Sequence, residues 1–304
     1  MQRIPFGPAG ADAPAVAAGM MRIAGASDAE IRELYTAARE VGVDFFDHAD
    51  IYGFDHPGGT GTHHCERRFT RALRLSPAER SEITLQTKVG IQTNPPGYDH
   101  SYRHIVAATE ASLEALETDY LDVLLLHRPD ALVEPEEVGR AFDHLHASGK
   151  VRAFGVSNCT VGQMRLLQGG VDKQLLSNQV QFSLARARLV ADGFAGRGDG
   201  LVEYARAEGV TLQAWSPLQG DGGTFLGSPA YPELNAELSR IAAARGVAPS
   251  AVAIAWITRH PAKMQAVLGT THAAHLREAA AGADVELSRE EWYSLYRAAG
   301  NPLP

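Results

Sequence analysis

Short apolar, β-branched runs recur along this chain, each followed by an amphipathic stretch of about a dozen residues. That rhythm belongs to βα units. A strand covered on both faces reads as a continuous apolar run, while the helix covering it is hydrophobic on one side only. Six strands stand out, at 83–88, 121–127, 153–157, 177–181, 211–215 and 266–269; runs at 43–47 and 15–19 bring them to eight. Between them, residues 28–41 place Ile31, Leu34, Tyr35, Ala38 and Val41 near helical spacing behind Ser27, whose hydroxyl suits an N-cap. Similar patterns run through 66–75, 102–117, 135–148, 161–167, 200–208 and 232–245. Gly42, Gly149, Gly209 and Gly246 stand where helices end in the left-handed conformation, the last joining two helices.

Such alternation fits either a closed barrel or an open doubly wound sheet. No G-x-G-x-x-G turn follows the first strand, which counts against the dinucleotide-binding open sheet. A (β/α)8 TIM barrel, a parallel eight-stranded α/β fold of typically about 250 residues, is the better expectation. Segments 53–64, 92–101 and 287–304 read as insertions or additions. No linker or low-complexity tract interrupts the chain, so residues 1–304 are expected to form a single domain.

The formal charge is −8 and Lys and Arg form no block, so the electrostatic footprint of a nucleic-acid binder or a polybasic membrane anchor is missing. A small-molecule partner fits better. No run approaches the roughly 20 apolar residues of a membrane span, and the first residues lack the basic start and apolar core of a secretory signal. Two cysteines, Cys65 and Cys159, do not make a disulfide framework. A reducing, cytoplasmic setting is expected. His63 and His64, followed by Cys65, lack a second ligand pair at zinc spacing, so no metal is expected.

In a barrel of this kind the reactive groups lie at the C-terminal ends of the strands. The second expected strand ends in Asp47 with Tyr52 in its loop, the third in Lys88 and the fourth in His127. Taken singly, Asp47 reads as a turn former, Tyr52 as a packed aromatic, Lys88 as a solvated strand end and His127 as a satisfied core histidine. Together they deliver an acid, a phenol, an amine and an imidazole to one mouth. Carbonyl reduction needs a proton donor at the oxygen, and a phenol with a pKa of about 10 is a weak one at neutral pH. Lys88 is expected to lower the Tyr52 value, with Asp47 keeping the ammonium charged and His127 orienting the carbonyl.

The segment 43–53 (VDFFDHADIYG), with Thr87-Lys88-Val89-Gly90 and 124–130 (LLLHRPD), closely resembles the signature of the aldo-keto reductase superfamily. The resemblance continues through 149–158 (GKVRAFGVSN), 178–183 (NQVQFS) and 214–218 (AWSPL), and the HRPD stretch is similar to a bacterial subgroup of aldo-keto oxidoreductases. It implies that Asp47, Tyr52, Lys88 and His127 form a catalytic tetrad and that the cofactor is a nicotinamide nucleotide. It further implies that Ser157, Asn158 and Gln179 bind the carboxamide, with Asp47 also beside the nicotinamide, and that Trp215 stacks on the ring. Gly19, Met20 and Met21, and the stretch Ser216, Pro217, Leu218 to Gly220, would line the cofactor trough. Trp215 by itself reads equally as a core aromatic.

Residues 267–278, with Gly269, Thr270, Thr271, His275 and Glu278, match the family's adenosine-phosphate loop, which opens a short helix whose N-terminus favours anions. NADPH is expected, with NADH possible, because His275 occupies the place of the customary arginine and Arg277 lies two positions on. The resemblance thus implies an oxidoreductase that reduces an aldehyde or ketone to an alcohol, reversibly. A nucleotide-binding redox sensor or regulatory subunit with little turnover is the alternative; a lyase or isomerase with a Lys88 Schiff base is a further one. The substrate wall is expected from the loops after Tyr52, Lys88 and Trp215 and from the C-terminus, with Phe54, Tyr98, Phe225 and Tyr231 as apolar lining.

Overall fold

The computed structural model describes residues 1–191 and 200–303. Eight parallel strands close into a barrel in sequence order: β1 (Val16–Gly19), β2 (Phe45–Asp47), β3 (Thr84–Val89), β4 (Leu121–Leu126), β5 (Val151–Ser157), β6 (Leu175–Gln181), β7 (Thr211–Trp215) and β8 (Gln265–Leu268). Closure is made by β8 against β1, where Ala266, Val267 and Leu268 pair with Val16, Ala17 and Ala18. All eight expected strands are present, with ends moved by one or two residues. His127 stands one residue past β4, its amide still donating to Val89 O at 2.9 Å.

The helices follow from local chemistry. Asp28–Glu40 begins with a reciprocal capping box between Ser27 and Glu30 and buries Ile31, Leu34, Ala37 and Ala38. Gly42, Gly149, Gly209 and Gly246 all adopt positive φ at their joints. One helix has no amphipathic signal to find. Pro249–Thr258 is buried at every position from Ala251 onward, so its sequence is apolar all round.

One feature was passed over in sequence and another was misread. The N-terminal residues form an antiparallel hairpin, Arg3–Phe6 with Ala11–Pro14, whose four-residue strands are too short to register a period. It closes the barrel's N-terminal end: Phe6 packs on Phe45 and Gly7 N donates to Thr211 Oγ1 at 2.9 Å. The tail is an integral helix, Arg289–Ala298, rather than an appendage. Trp292 stacks on Trp256 at 4.8 Å, and each indole N–H donates to the other residue's carbonyl, at 2.9 and 3.1 Å. Glu291 holds Arg245 with two bonds of 2.6 Å.

Among the described residues no single helix is long and apolar enough to cross a membrane. Pro232–Arg245 and Pro249–Thr258 reach that length only together, across a 94° bend.

Candidate active site

Strand geometry converges the four reactive side chains on the C-terminal mouth of the barrel. Asp47 ends β2, Lys88 is the penultimate residue of β3, and Tyr52 lies in the turns after β2, its amide donating to Ala49 O at 3.1 Å. Lys88 is fully buried, and its Nζ donates to Asp47 Oδ2 at 2.8 Å, His48 O at 2.7 Å and Tyr52 Oη at 2.8 Å. All three ammonium protons are therefore used. Asp47 Oδ1 in turn accepts from Gln86 Nε2 at 2.6 Å and Gln179 Nε2 at 3.0 Å. The His127 ring lies edge-on to Tyr52 with centroids 5.8 Å apart, and its Nδ1 is buried without a partner among the described residues.

These contacts set the protonation states. Burial opposes the Lys88 charge, but Asp47 and Tyr52 outweigh it and hold the ammonium above its ordinary range. For Tyr52 the outcome differs from the sequence expectation. Burial, reinforced by the Asp47 charge, pushes the phenol above its ordinary value despite the pull of Lys88. Desolvation outweighs the single cation because Lys88 arrives already paired. His127 is held well below the usual imidazole range, first by burial and then by Lys88 and Arg128, so it is neutral at physiological pH.

Tyr52, Asp47 and His127 form part of the wall of a cleft of about 1030 Å³, within the size of a cofactor and small-ligand site. Lys88 stands behind that wall. Ser157, Asn158, Gln179 and Trp215 line the cleft and are knitted together: Trp215 Nε1 donates to Asn158 Oδ1 at 3.0 Å, Asn158 Nδ2 to Ser157 Oγ at 2.7 Å, and Ser157 Oγ to Gln179 O at 2.8 Å. Asn158 and Ser216 hold φ of 59° and 54°, a left-handed backbone at the ends of two barrel strands.

Gly19, Met21, Ser216, Pro217, Leu218, Gly269, Thr270, His275 and Glu278 also line the cleft. Met20, Gly220 and Thr271 do not. Met20 is buried, with its amide tied to Asp47 O at 2.9 Å. Gly220 belongs to the small hairpin Gln219–Gly220 with Gly223–Thr224 and packs against Tyr231, so the lining skips it, running to Gln219 and resuming at Thr224, Leu226 and Gly227. Of the four expected apolar wall residues only Phe54 lines the cleft. Phe225 is buried in the core, Tyr98 is exposed, and the Tyr231 hydroxyl accepts Asp221 N at 2.8 Å.

Sequence reasoning missed several wall residues. Arg22 lines the cleft and donates to Gly269 O at 3.2 Å, whereas Arg277 is turned to Glu40, with bonds of 2.6 and 3.1 Å outside the cleft. Arg128, next to His127, stands 5.8 Å over the Trp215 ring; Asn235 and Ser250 line the wall from helices distant in sequence. Only the position of Arg22, three residues after Gly19, carried a hint. His63 pairs with Glu66 at 2.6 Å and His64 Nε2 faces Ala24 O at 3.1 Å, and among the described residues no group of three or more ligands could hold a metal. Cys65 and Cys159 are both free and buried.

The chain is 40% identical over 290 residues to a 6-dehydroglucose reductase of Agrobacterium fabrum, covering 91% of each. To a protein of the same name from Novosphingobium aromaticivorans it is 37% identical, over 95% of this chain and 93% of the relative. A crystal structure of an aldo/keto reductase from Klebsiella pneumoniae in complex with NADP and acetate superposes with a TM-score of 0.78 at 26% identity, covering 99% of this chain and 96% of that one. The sequence pattern of the Aldo/keto reductase family matches residues 15–299, which take in the whole barrel and the tail helix packed on it. The chain belongs to the aldo/keto reductase family.

Proposed function

We propose that this protein, acting as one barrel domain over 1–304, reduces the aldehyde group of a polyhydroxylated, sugar-like substrate with NADPH, and oxidises the alcohol in reverse. One observation carries the reading: a neutral phenol, Tyr52, lies at the cleft wall 2.8 Å from a buried ammonium that is itself paired to Asp47 at 2.8 Å. A proton donor backed by a fixed positive charge is what a carbonyl oxygen requires as it gains negative charge.

The cleft fits a nicotinamide nucleotide. Trp215 offers a flat half-buried face, and Ser157, Asn158 and Gln179 offer amide and hydroxyl groups to a carboxamide. Arg22 and Thr270, beside the start of helix Ala273–Ala280, offer a cation and a hydroxyl to phosphate. When bound, the dihydronicotinamide supplies the hydride that reaches the carbonyl carbon. Tyr52 gives its proton to the carbonyl oxygen, and Lys88 compensates the phenolate that remains. Neutral His127 orients that oxygen, because an imidazole can donate one hydrogen bond without adding a competing charge. Asp47 keeps Lys88 charged through the cycle.

The substrate class rests on the two relatives named for 6-dehydroglucose and on polar side chains at the reactive end of the cleft, where Arg128 and Asp55 can hydrogen-bond hydroxyls. NADPH rather than NADH rests on Arg22, which supplies a fixed positive charge near Gly269. The free thiols Cys65 and Cys159 fit a cytoplasmic setting. Steady-state turnover of a panel of sugar aldehydes, simple aldehydes and ketones with each cofactor tests the reading. The expected result is the highest kcat/KM for a sugar aldehyde with NADPH; no turnover of any carbonyl would overturn it.

A further inference from the structure

Asp47 holds Lys88 with one oxygen, while the other is gripped by amides that proton transfer itself does not require. Gln86 Nε2 and Gln179 Nε2, which donate to Asp47 Oδ1 at 2.6 and 3.0 Å, also donate to Gln213 Oε1 at 3.0 and 3.3 Å. Gln213 Nε2 donates to Gln265 Oε1 at 2.7 Å, and Gln265 Nε2 to the Pro14 carbonyl at 2.8 Å. All four glutamines are buried. Since β3 and β7 lie on opposite sides of the barrel, the bond from Gln86 to Gln213 crosses its interior. Such interiors are ordinarily filled by branched apolar side chains, and each buried amide must be compensated by hydrogen bonds.

The direction of this chain is set at its far end. Pro14 presents only a carbonyl, so Gln265 turns its NH2 toward it and its oxygen toward Gln213. Gln213 then donates to Gln265 and turns its own oxygen toward Gln86 and Gln179. Both of these are left with their NH2 groups toward Asp47. A flipped Gln86 would set oxygen against oxygen at two partners. As built, Gln86 Oε1 is buried with no partner among the described residues, a cost that a layer serving stability alone would avoid.

We propose that Gln86 is a positioning residue for Asp47, oriented by a glutamine ladder that starts at Pro14 on the barrel's N-terminal end. Gln86 does not line the cleft, whereas Gln179 does and is within reach of whatever occupies it. Gln86 is therefore the donor that keeps the Asp47 carboxylate turned to Lys88 when a ligand draws Gln179 away. The inference rests on the reading of Tyr52 as proton donor, and its effect is on the alignment of the ion pair beneath that residue.

Gln86→Met and Gln265→Met in the full chain test it, the second lying three hydrogen bonds away from Asp47. In Gln86→Met, kcat is expected to fall about tenfold with KM for NADPH changed less than about twofold. The alkaline limb of the kcat profile should move to lower pH, because a carboxylate turned away from Lys88 and Tyr52 raises the phenol less. Gln265→Met should show the same changes, smaller. The Tyr52 ionisation, read as the ultraviolet difference between each variant and its Tyr52→Phe counterpart, should move the same way. That readout needs no turnover, so it decides the ladder even if the parent protein proves inert toward carbonyls and the proton-donor reading falls. Lowered thermal stability with an unmoved alkaline limb and Tyr52 titration would overturn the proposal. Should Gln86→Met fail to fold, Gln265→Met decides on the same readouts.

Discussion

Replacing Lys88 by Met separates what the buried ion pair does for folding from what it does for chemistry. The side chain is fully buried, and its ammonium donates to three oxygens at 2.7–2.8 Å, so the substitution removes three charge-assisted bonds together. Breaking a buried pair by deleting one partner costs about 3–5 kcal/mol, mostly because the remaining charge is left uncompensated. Asp47 retains the Gln86 and Gln179 donors, which places the expected loss near the lower end, about 3 kcal/mol. Adding Asp47→Asn removes the stranded charge, so the double variant should recover about half of that loss. Activity should behave differently: kcat falls by about 10²–10³ in Lys88→Met and is not restored in the double variant. Urea unfolding with coincident fluorescence and circular-dichroism transitions, run beside single-turnover reduction, measures both. A double variant no more stable than Lys88→Met, or Lys88→Met within about tenfold of full activity, would refute the reasoning.

Acid should destabilise the fold through its buried imidazoles. Burial pushes His48 down to about 3 and His100 to about 4, and holds His127 well below its usual range. Because these folded-state values are depressed, the unfolded chain takes up the protons first. Stability is therefore intact above the unfolded value of about 6.5 and lost as pH falls below it, by up to about 1.4 kcal/mol per pH unit for each histidine. Urea midpoints at about pH 6.5 and about pH 5 should differ accordingly; equal midpoints contradict the assignment. Arg22→Ala should raise KM for NADPH about tenfold, the equivalent of one charge-assisted hydrogen bond, while leaving KM for NADH within about threefold. An equal rise for both would place Arg22 at a phosphate the two cofactors share.

The barrel was legible because its strands are largely buried on both faces and most outer helices on one, so apolar runs and amphipathic stretches alternate along the described residues from Val16 to Leu268, Pro249–Thr258 excepted. What was not legible had no periodic signal: the hairpin that closes the barrel, the wholly buried Pro249–Thr258, and a tail helix whose importance lies in Trp292 meeting Trp256. Three of the four reactive residues were visible in sequence as polar side chains terminating apolar strands, and Tyr52 as the phenol in the loop after Asp47. Their environment was not. The upward push on Tyr52 comes from desolvation, and nothing in the sequence sets Gln86, Gln213 and Gln265 apart from other polar positions within strands. The trough was overextended at Gly220 and lacked Arg22, because which way a loop turns depends on packing such as that of Tyr231.

The central claim, that Tyr52 is the proton donor, is tested most directly by Tyr52→Phe. The substitution leaves the ring edge-on to His127 and removes only the hydroxyl bonded to Lys88 at 2.8 Å. NADPH binding, followed by quenching of Trp215 fluorescence, should be unchanged, and single-turnover reduction of a sugar aldehyde should slow by at least about 10². Undiminished turnover in a folded, NADPH-binding variant would contradict the account.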